Sequence, residues 1–387
     1  MAGREERISF QEKIHRHRLE IVYRSMLGVF LVAAIIVIVR ISIDNKVYSQ
    51  YEVIKTSGAI GSTDSTILPY GDNAISYSRD GIAAYESDGT QIWNETFEMQ
   101  SPIVDVQGDY VAVCDYRGNT IYIMDKNGQC GKIEVNKTLL DIKVSAQGVV
   151  TATLDDGDIT WINVYSSSGE EIVTIRTSMD QTGFPLATSM SEDNRKMVVS
   201  YIKTSGNKVE NSVAFYNFGD VGQNVQDKIV SGFDYEDTVI PFIHFMNQNE
   251  AVAVDEKMLR VYRGSQIPEL VAETELPDGI RGIYYGDNRV AVVSRNEEGE
   301  DTYRLRVYNM SGNELFSVGF SMEYGDIILK NGYVFVHNES ELLIYNKKGM
   351  EKYNGSIGEG VKTIMPVAKK NRLIVVRETE TEAVKLK

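Results

Sequence analysis

The feature that most constrains this chain is a recurring group of six residues: an aliphatic residue, Tyr, three further residues and Gly. Four copies keep this pattern in full, and they are Ala84-Tyr85…Gly89, Val164-Tyr165…Gly169, Val307-Tyr308…Gly312 and Ile344-Tyr345…Gly349. Met124…Gly128 has Met in place of Tyr, and looser copies lie at Phe215-Tyr216 and Val261-Tyr262. The Tyr or Met anchors follow one another at intervals of 37–51 residues. A strand-rich repeat of this length is typical of a four-stranded β-propeller blade.

The segment around the second anchor shows the internal order of one repeat. Four short runs of alternating residues are separated by turn residues rich in Gly, Asn and Asp, which predicts strands joined by hairpins. The predicted strands are Ile103–Val106, Tyr110–Val113, Thr120–Met124 and Lys132–Val135. The tetrapeptide Tyr-Gly-Asp-Asn occurs at 70–73 and again at 285–288, each time before a predicted second strand. This recurrence predicts that the pairing register of the first two strands is the same in both blades, in addition to their composition.

The two ends of the repeat region predict how the ring closes. Three strand-like runs without a fourth follow the last anchor, at Lys362–Met365, Arg372–Val376 and Ala383–Leu386. A lone run that resembles a fourth strand, Tyr51–Lys55, precedes the first full blade. A blade shared between the termini seals a ring without an open sheet edge. The sequence therefore predicts an all-β fold, an eight-bladed β-propeller; seven blades is the alternative if the irregular stretch 184–277 does not hold two separate blades.

An apolar segment precedes the ring. Ser25–Val39 has no charged residue, and with Ile41–Ile43 the stretch covers 19 residues. As a helix this stretch is about 28 Å long, close to the ~30 Å of a bilayer's hydrocarbon core. A cleaved signal peptide is the competing interpretation. The long leading segment and the absence of a small-x-small cleavage pattern at 41–45 favour an uncleaved transmembrane anchor.

Charge is distributed unevenly along the chain. The formal net charge is −15, although residues 1–43 hold seven basic and four acidic residues. The strongly acidic remainder opposes binding to nucleic acid. Six basic residues precede the apolar segment, and such residues favour the cytoplasmic side of a membrane. We therefore expect a single-pass cell-membrane protein with a cytoplasmic basic arm (1–24), either solvated or lying as a short helix on the inner membrane surface. A transmembrane helix (25–43), a linker (44–50) and an extracytoplasmic ring (51–387) are expected to follow.

The segment Gly81–Trp93 resembles the tryptophan-docking repeat of quinoprotein-type propellers, a PQQ-like and WD40-like superfamily. Ala83, Gly89 and Trp93 match that repeat, whereas Tyr85 stands in place of its Asp. The layout of the whole chain is similar to that of uncharacterised membrane-anchored propellers of clostridial-type bacteria. The resemblance implies a propeller fold and an anchor.

Quinoprotein dehydrogenases hold a planar quinone against Trp, beside a carboxylate–Ca²⁺ site and an Asp base. This chain has two tryptophans, Trp93 and Trp161, and both fall on predicted blade strands. A cofactor site needs its ligands in place. We therefore expect no cofactor and no quinoprotein activity.

The remaining residues that carry chemistry favour structural roles. His244 and His337 are two isolated histidines, too few for a zinc triad, and we expect them to be hydrogen-bonded within strands. Cys114 and Cys130 fall on strands two apart, beyond disulfide range, which predicts two thiols. Asp155–Asp158 lacks the spacing of a calcium loop and predicts a hairpin turn. We expect no catalytic or metal site, and hence a protein that is not an enzyme.

The fourth repeat is longer than the others, and its two extra segments are Lys203–Asn211 and Gly219–Asp237. We expect both as loops on one rim of the disc, where propellers commonly bind partners; tolerated insertions are the alternative. An aromatic pair among acidic residues is typical of a protein-binding patch. The candidate patch consists of Phe233, Asp234, Tyr235, Glu236 and Asp237.

Three hypotheses for function follow. The favoured one is a non-enzymatic protein-interaction or scaffold module at the bacterial cell envelope. A sensor of a small ligand or glycan in the central channel is the alternative, and a degenerate quinoprotein oxidoreductase is the least favoured.

Overall fold

A computed structural model describes residues 10–206, 208–296, 299–369 and 371–387. The backbone divides into two compact units, Met1–Tyr48 and Ser49–Lys387. Residues 1–9 of the predicted basic arm lie outside the described residues, as do the side chains of residues 37–44.

The first unit is built around one helix, α1 (Phe10–Asn45, 36 residues). Within this helix the stretch His17–Ile36 has a mean hydropathy of 2.0 and is long and apolar enough to cross a membrane. A signal sequence near the N-terminus has the same properties. The helix includes the predicted transmembrane stretch 25–43 and extends into the predicted arm as far as Phe10.

The second unit is an eight-bladed β-propeller in which every blade is a four-stranded antiparallel sheet. Seven blades follow one another along the chain. Blade 1 is β2 (Thr66–Tyr70), β3 (Asn73–Tyr77), β4 (Gly81–Tyr85) and β5 (Gln91–Thr96). Blade 2 is β6 (Pro102–Gln107), β7 (Tyr110–Asp115), β8 (Thr120–Asp125) and β9 (Gly128–Glu134). Blade 3 is β10 (Thr138–Val144), β11 (Val150–Asp156), β12 (Ile159–Tyr165) and β13 (Glu171–Ser178).

The irregular stretch 184–277 holds two separate blades, so eight blades is confirmed and seven is wrong. Blade 4 is β14 (Phe184–Met190), β15 (Lys196–Ser205), β16 (Lys208–Asn217) and β17 (Ile229–Glu236), with α2 (Asp220–Gln223) and a 3₁₀ turn (Gln226–Lys228) before β17. Blade 5 is β18 (Phe242–Phe245), β19 (Glu250–Val254), β20 (Met258–Arg263) and β21 (Glu269–Glu275). Blade 6 is β22 (Ile280–Gly286), β23 (Arg289–Arg295), β24 (Tyr303–Asn309) and β25 (Glu314–Phe320). Blade 7 is β26 (Asp326–Lys330), β27 (Tyr333–His337), β28 (Glu341–Asn346) and β29 (Glu351–Ser356).

Blade 8 closes the ring in the predicted way. Its first three strands are C-terminal, β30 (Val361–Pro366), β31 (Arg372–Arg377) and β32 (Glu380–Leu386). Its fourth strand is N-terminal, β1 (Tyr51–Gly58), and it pairs antiparallel with β32 from Tyr51↔Leu386 to Gly58↔Glu380. Both termini of the ring are thus held in one sheet, which removes the open edges that separate ends would leave.

The recurring six residues have a single structural cause. At each of the seven anchors the pairing of the third strand with the fourth shifts register, as at Ala84/Tyr85 and Ile344/Tyr345. At the four full copies of the pattern a tight turn follows, in which the Gly amide donates back across the turn, as from Gly169 to the Ser166 carbonyl oxygen. Gly169 has φ +90°, and a Cβ there would lie 2.9 Å from the Lys132 carbonyl oxygen of blade 2. Glycine is therefore needed both for the left-handed backbone and for the close approach of neighbouring blades.

Hydrophobic side chains fill the space between neighbouring blades. The cluster between blades 3 and 4 includes Ile162, Val199 and Tyr216, each at most 1% exposed. Comparable clusters join blades 1–2, 2–3, 4–5, 5–6 and 6–7, and the one at the seam includes Val376 of blade 8, Ile67 of blade 1 and Ile60 of their connection. Blades 1 to 6 thus bury both faces against their neighbours.

The repeated tetrapeptide does not keep its register. Tyr70 pairs with Asn73, so Gly71 and Asp72 form the first turn. At the second site Gly286 pairs with Arg289, so Asp287 and Asn288 form the turn. The predicted equivalence is wrong by one residue, because Asp287 and Asn288 both adopt positive φ and make a turn of their own.

Strand direction defines two faces of the disc. We call the face that carries the first-to-second and third-to-fourth turns the lower face. The opposite face, which carries the second-to-third turns and the connections between blades, is the upper face. First strands of neighbouring blades contact one another at the junctions of blades 1–2, 2–3, 3–4, 4–5, 6–7 and 8–1, and so line the central channel.

Candidate functional site

The predicted patch lies on a strand and not on a loop. Phe233, Asp234, Tyr235 and Glu236 belong to β17, which pairs with β16 along its length, and only Asp237 lies beyond the strand. The aromatic residues are half-buried and the acidic residues are exposed. The predicted loop is therefore wrong here, because the alternation Phe-Asp-Tyr-Glu satisfies a half-buried outer strand.

The first of the two extra segments is also a pair of lengthened strands. Lys203 pairs with Glu210 in the β15–β16 ladder, and their side chains form an ion pair of 3.0 Å. The hairpin extends blade 4 on the upper face. Of the second segment, only the part before β17 is a connection, and it lies on the lower face.

The aromatic pair packs inside the ring. The Phe233 ring lies 5.1 Å from the Tyr262 ring of blade 5, centroid to centroid. The hydroxyl oxygen of Tyr235 is 2.7 Å from that of Tyr262. These contacts tie blade 4 to blade 5, so Phe233 is not available as an exposed interface anchor.

Three members of the patch nevertheless border a groove on the upper face. Tyr235, Glu236 and Asp237 line one wall, and the second-to-third turn of blade 5 (254–258) lines another. The groove has a volume of about 840 Å³ and continues to Gly279 and Ile280 of blade 6. We refer to it as the blade 4–6 groove.

A buried ion pair fixes the floor of this groove. Arg260 is 6% exposed and Asp255 is 4% exposed, and a guanidinium N–H of Arg260 donates to the Asp255 carboxylate. The Arg260 Nε also donates to Glu273 at 3.0 Å, and the guanidinium lies 4.2 Å from the Tyr235 ring centroid. Two carboxylates and an aromatic face thus compensate one cation.

The ion pair is held in its charged form. Burial disfavours the ionised Asp255, but hydrogen bonds from Arg260 and from the backbone N–H groups of Lys257 and Met258 outweigh it, so the pKa of Asp255 is lowered. Burial likewise disfavours the charged Arg260, yet its hydrogen bond to Asp255 leaves the pKa of Arg260 raised. The floor of the groove therefore keeps its geometry at neutral pH.

A second cavity lies in the central channel. Its volume is about 610 Å³, and its polar wall takes one residue from the first strand of each of blades 2 to 6. These residues are Asp105, Lys143, Ser189, His244 and Tyr285. These first strands carry other polar residues as well, such as Asp141 and Arg281, so the sequence alone does not single out the five that line the channel.

Contacts between blades order this polar wall. The Lys143 Nζ lies 3.9 Å from an Asp105 oxygen. The His244 Nδ1 is 3.4 Å from the Ser189 Oγ, and the His244 and Tyr285 rings are 4.1 Å apart, centroid to centroid. Burial, with a smaller contribution from Lys143, lowers the pKa of His244 to about 4. The expectation of a hydrogen-bonded strand histidine is confirmed for His244.

His337 differs from His244. It ends β27, is 3% exposed, and neither of its ring nitrogens has a hydrogen-bond partner among the described residues. The expectation of a hydrogen-bonded side chain is therefore wrong for His337.

A family model covers almost the whole ring. The family of unknown function DUF5711 matches residues 44–386. This chain belongs to that family. No curated protein matches the chain significantly.

Solved structures share the fold of this DUF5711 protein at low sequence identity. BamB from Moraxella catarrhalis is 13% identical with a TM-score of 0.50, and the match covers 87% of this chain and 98% of that one. Sqt1 from Saccharomyces cerevisiae is 11% identical with a TM-score of 0.56, covering 88% and 98%. Dipeptidyl peptidase 4 from Porphyromonas gingivalis is 14% identical with a TM-score of 0.55, covering 82% and 56%. These likenesses show the β-propeller fold.

The remaining predicted residues of this DUF5711 chain lie away from both cavities. Trp93 packs between blades 1 and 2, and the Trp161 Nε1 donates to Asp156 at 3.1 Å. Cys114 is buried and Cys130 is exposed, and both are free thiols, as predicted. The described residues contain no group of three or more His, Cys, Asp or Glu that could hold a metal. Asp155–Asp158 forms the predicted hairpin turn between β11 and β12.

Proposed function

We propose that this protein is a non-enzymatic protein-interaction module held at the bacterial cell membrane by α1, with the ring outside the cytoplasm. The observation that carries the proposal is the blade 4–6 groove, an open concavity with a fixed polar floor and an exposed acidic rim. A propeller supplies a rigid scaffold for such a surface, and recognition residues concentrate on the loops that a scaffold positions.

The charge of the groove indicates the chemistry of the partner. Glu236, Asp237 and Glu256 are exposed, whereas the Arg260 charge is compensated by Asp255 and Glu273. Two lysines offset part of this charge, because Lys208 forms an ion pair with Glu236 at 3.3 Å and the exposed Lys257 lines the groove. Carboxylates still outnumber the cations, which favours a basic segment, and complementary charge speeds and orients association.

The apolar walls add a second requirement. Val239 is 40% exposed, and Met258, Ile280 and Ile283 line the groove beside it. An apolar side chain flanked by Lys or Arg fits this combination of apolar wall and acidic rim. The proposed partner is thus a protein segment of that composition.

In-cell photo-crosslinking tests the groove. A photoreactive residue at Glu256 is expected to give one dominant protein adduct, identified by mass spectrometry. The same residue at Glu170, which is exposed on the lower face, is the matched control and is expected to give none.

A charge reversal then tests the mechanism. Glu236→Lys combined with Glu256→Lys is expected to abolish the adduct formed from a crosslinker at Asp237. Glu170→Lys combined with Glu351→Lys makes the same change in net charge on exposed lower-face residues and should preserve it. Equal adduct yields in the two double variants would contradict the proposal.

The channel cavity supports a second candidate function, recognition of a small polar ligand. The observation that favours it is the tilted His244–Tyr285 ring pair facing polar side chains, the combination of apolar and polar groups usual in ligand pockets. A panel of neutral saccharides should raise the melting temperature of the wild-type protein and not that of Tyr285→Ala. No shift with any member of the panel would count against glycan recognition.

A further inference from the structure

A third concavity lies on the upper face between blades 7, 8 and 1. It has a volume of about 690 Å³ and is lined by residues 323–326 and 337–340 of blade 7, 359–362 and Glu378 of blade 8, and 65–67 of blade 1. We refer to it as the acidic pocket. It shares no lining residue with the blade 4–6 groove.

Carboxylates surround the acidic pocket. Asp326 lies half-buried at the start of β26, and Glu323, Glu339, Glu359 and Glu378 are exposed around the mouth. Lys362 is the basic residue among the described lining residues. Its ammonium group donates to the carbonyl oxygens of Ser62, Thr63 and Ser65 at 2.7–3.1 Å, so its donors are already used.

His337 is the observation that points to a ligand. It lines the acidic pocket, its side chain is 3% exposed, and both of its ring nitrogens are buried without a hydrogen-bond partner among the described residues. Buried polar groups in proteins are almost always hydrogen-bonded, and an exception calls for an explanation. A ligand that donates to the imidazole supplies one.

The ionisation of this site favours a cation. Burial lowers the pKa of His337, against the opposing effects of Asp326 and of the Asn338 backbone, so the imidazole is neutral at pH 7 and has one acceptor nitrogen. Burial also raises the pKa of Asp326, against a backbone hydrogen bond from Ile327 and the effect of His337, and a bound cation favours the ionised carboxylate. Asp326 lies directly opposite His337 in the β26–β27 ladder. A donor that carries positive charge therefore meets a neutral acceptor and a carboxylate together.

We propose that the acidic pocket binds an alkylammonium group, which donates N–H hydrogen bonds to His337 and to Asp326 while the surrounding glutamates balance its charge. The half-buried Tyr324 lines the same pocket and adds an aromatic side chain to its wall. This site is separate from the groove of the proposed function and does not depend on it.

The alkylammonium group has two sources, a free polyamine or a lysine side chain of a peptide. Isothermal titration of the full-length protein in detergent micelles with spermidine and with the tripeptide Gly-Lys-Gly distinguishes them. Saturable binding of either probe at one site supports the proposal and identifies the source.

Two histidine variants form a matched pair. His337→Leu should weaken binding at least about tenfold, the usual loss for a hydrogen bond to a charged group. His244→Leu makes the same exchange in the channel and should leave binding unchanged. Since His337 is unpartnered without ligand, His337→Leu should not lower the melting temperature of the free protein, whereas the probe should raise that of the wild type only.

A second variant keeps the test independent of the core. Glu359→Gln combined with Glu378→Gln changes exposed residues, so folding should persist while binding weakens at least about fivefold through the lost charge. The groove variant Glu236→Lys/Glu256→Lys should bind spermidine as the wild type does, which separates this proposal from the proposed function.

Three results would overturn the proposal. The first is equal affinity of wild type and His337→Leu for the probe that binds. The second is no binding of either probe. The third is binding that Mg²⁺ at equal charge competes away completely, since that would reveal a diffuse ion atmosphere.

Discussion

The way blade 8 closes the ring leads to a quantitative prediction about the cooperativity of unfolding. Val376 on β31 and Val199 on β15 are both 0% exposed, both lie on a second strand, and both belong to clusters between blades. Val376 lies at the seam between the chain ends, whereas Val199 lies between two blades that are continuous in sequence. Replacing each by Ala therefore compares the seam with an ordinary junction.

The expected cost follows from the buried groups. Valine to alanine removes two carbon atoms, worth about 1.5 kcal/mol by transfer, and the cavity brings the loss to about 2–3 kcal/mol. For the unit Ser49–Lys387 the entropy of unfolding is about 0.7 kcal/mol/K, so the melting temperature should fall by about 3–4 °C in either variant. The structural reason is that blade 8 is sealed by β1 and behaves as one blade among eight.

Differential scanning calorimetry of the full-length protein measures this. Both variants should keep a single transition in which the calorimetric and van't Hoff enthalpies bear the same ratio as in the wild type. If Val376→Ala instead splits the transition, or leaves the melting temperature unchanged while Val199→Ala lowers it, the seam is a weak point and the inferred cooperativity is wrong.

Three further predictions concern pH, the repeated turn and topology. The pKa of His244 is lowered in the folded state from its ordinary value of 6.5 to about 4, so its contribution to stability is present above pH 6.5 and is lost as the pH falls towards 4. Because water in the channel screens the charge, the loss in the free energy of unfolding is roughly 1–3 kcal/mol. Urea unfolding of His244→Phe should lack this part of the pH dependence, and an unchanged pH profile would contradict it. Gly169→Ala should cost about 1–3 kcal/mol because φ is +90° and the new Cβ meets the Lys132 carbonyl oxygen, whereas Gly157→Ala, with open space around it, should cost less by the same urea assay. Protease added to intact spheroplasts should remove the ring and leave roughly the first 45 residues protected; a protected C-terminus would reverse the orientation.

Much of the fold could be predicted because its signals are local. The anchors mark the bulge and turn between the third and fourth strands, and alternation marks the strands, so blade number and ring closure followed from counting. The error at Phe233–Glu236 arose where β17 lacks a preceding Tyr-x-x-x-Gly turn and follows α2 instead. Its alternation was present, but the missing turn concealed it.

The candidate sites could not be predicted in the same way, since they depend on distances between blades. Asp255 and Arg260 belong to one hairpin, yet their role appears only when Tyr235 of blade 4 meets them. His337 resembles any strand histidine in sequence. That its ring nitrogens have no hydrogen-bond partner among the described residues becomes clear only from the structure, which places residues of blades 7, 8 and 1 around the same pocket.

The position of the Tyr-x-x-x-Gly turns in the ring explains why this repeated pattern identifies the fold but indicates little about function. The Tyr-x-x-x-Gly turns lie on the lower face, where Gly169 and Gly89 each touch a neighbouring blade and leave little freedom of length or composition. The upper face carries the connections between blades and the second-to-third turns, which lack this repeated pattern. Both the blade 4–6 groove and the acidic pocket are built from these segments. Their residues differ from blade to blade, so the repeat that identifies the fold does not predict the side chains that line either concavity.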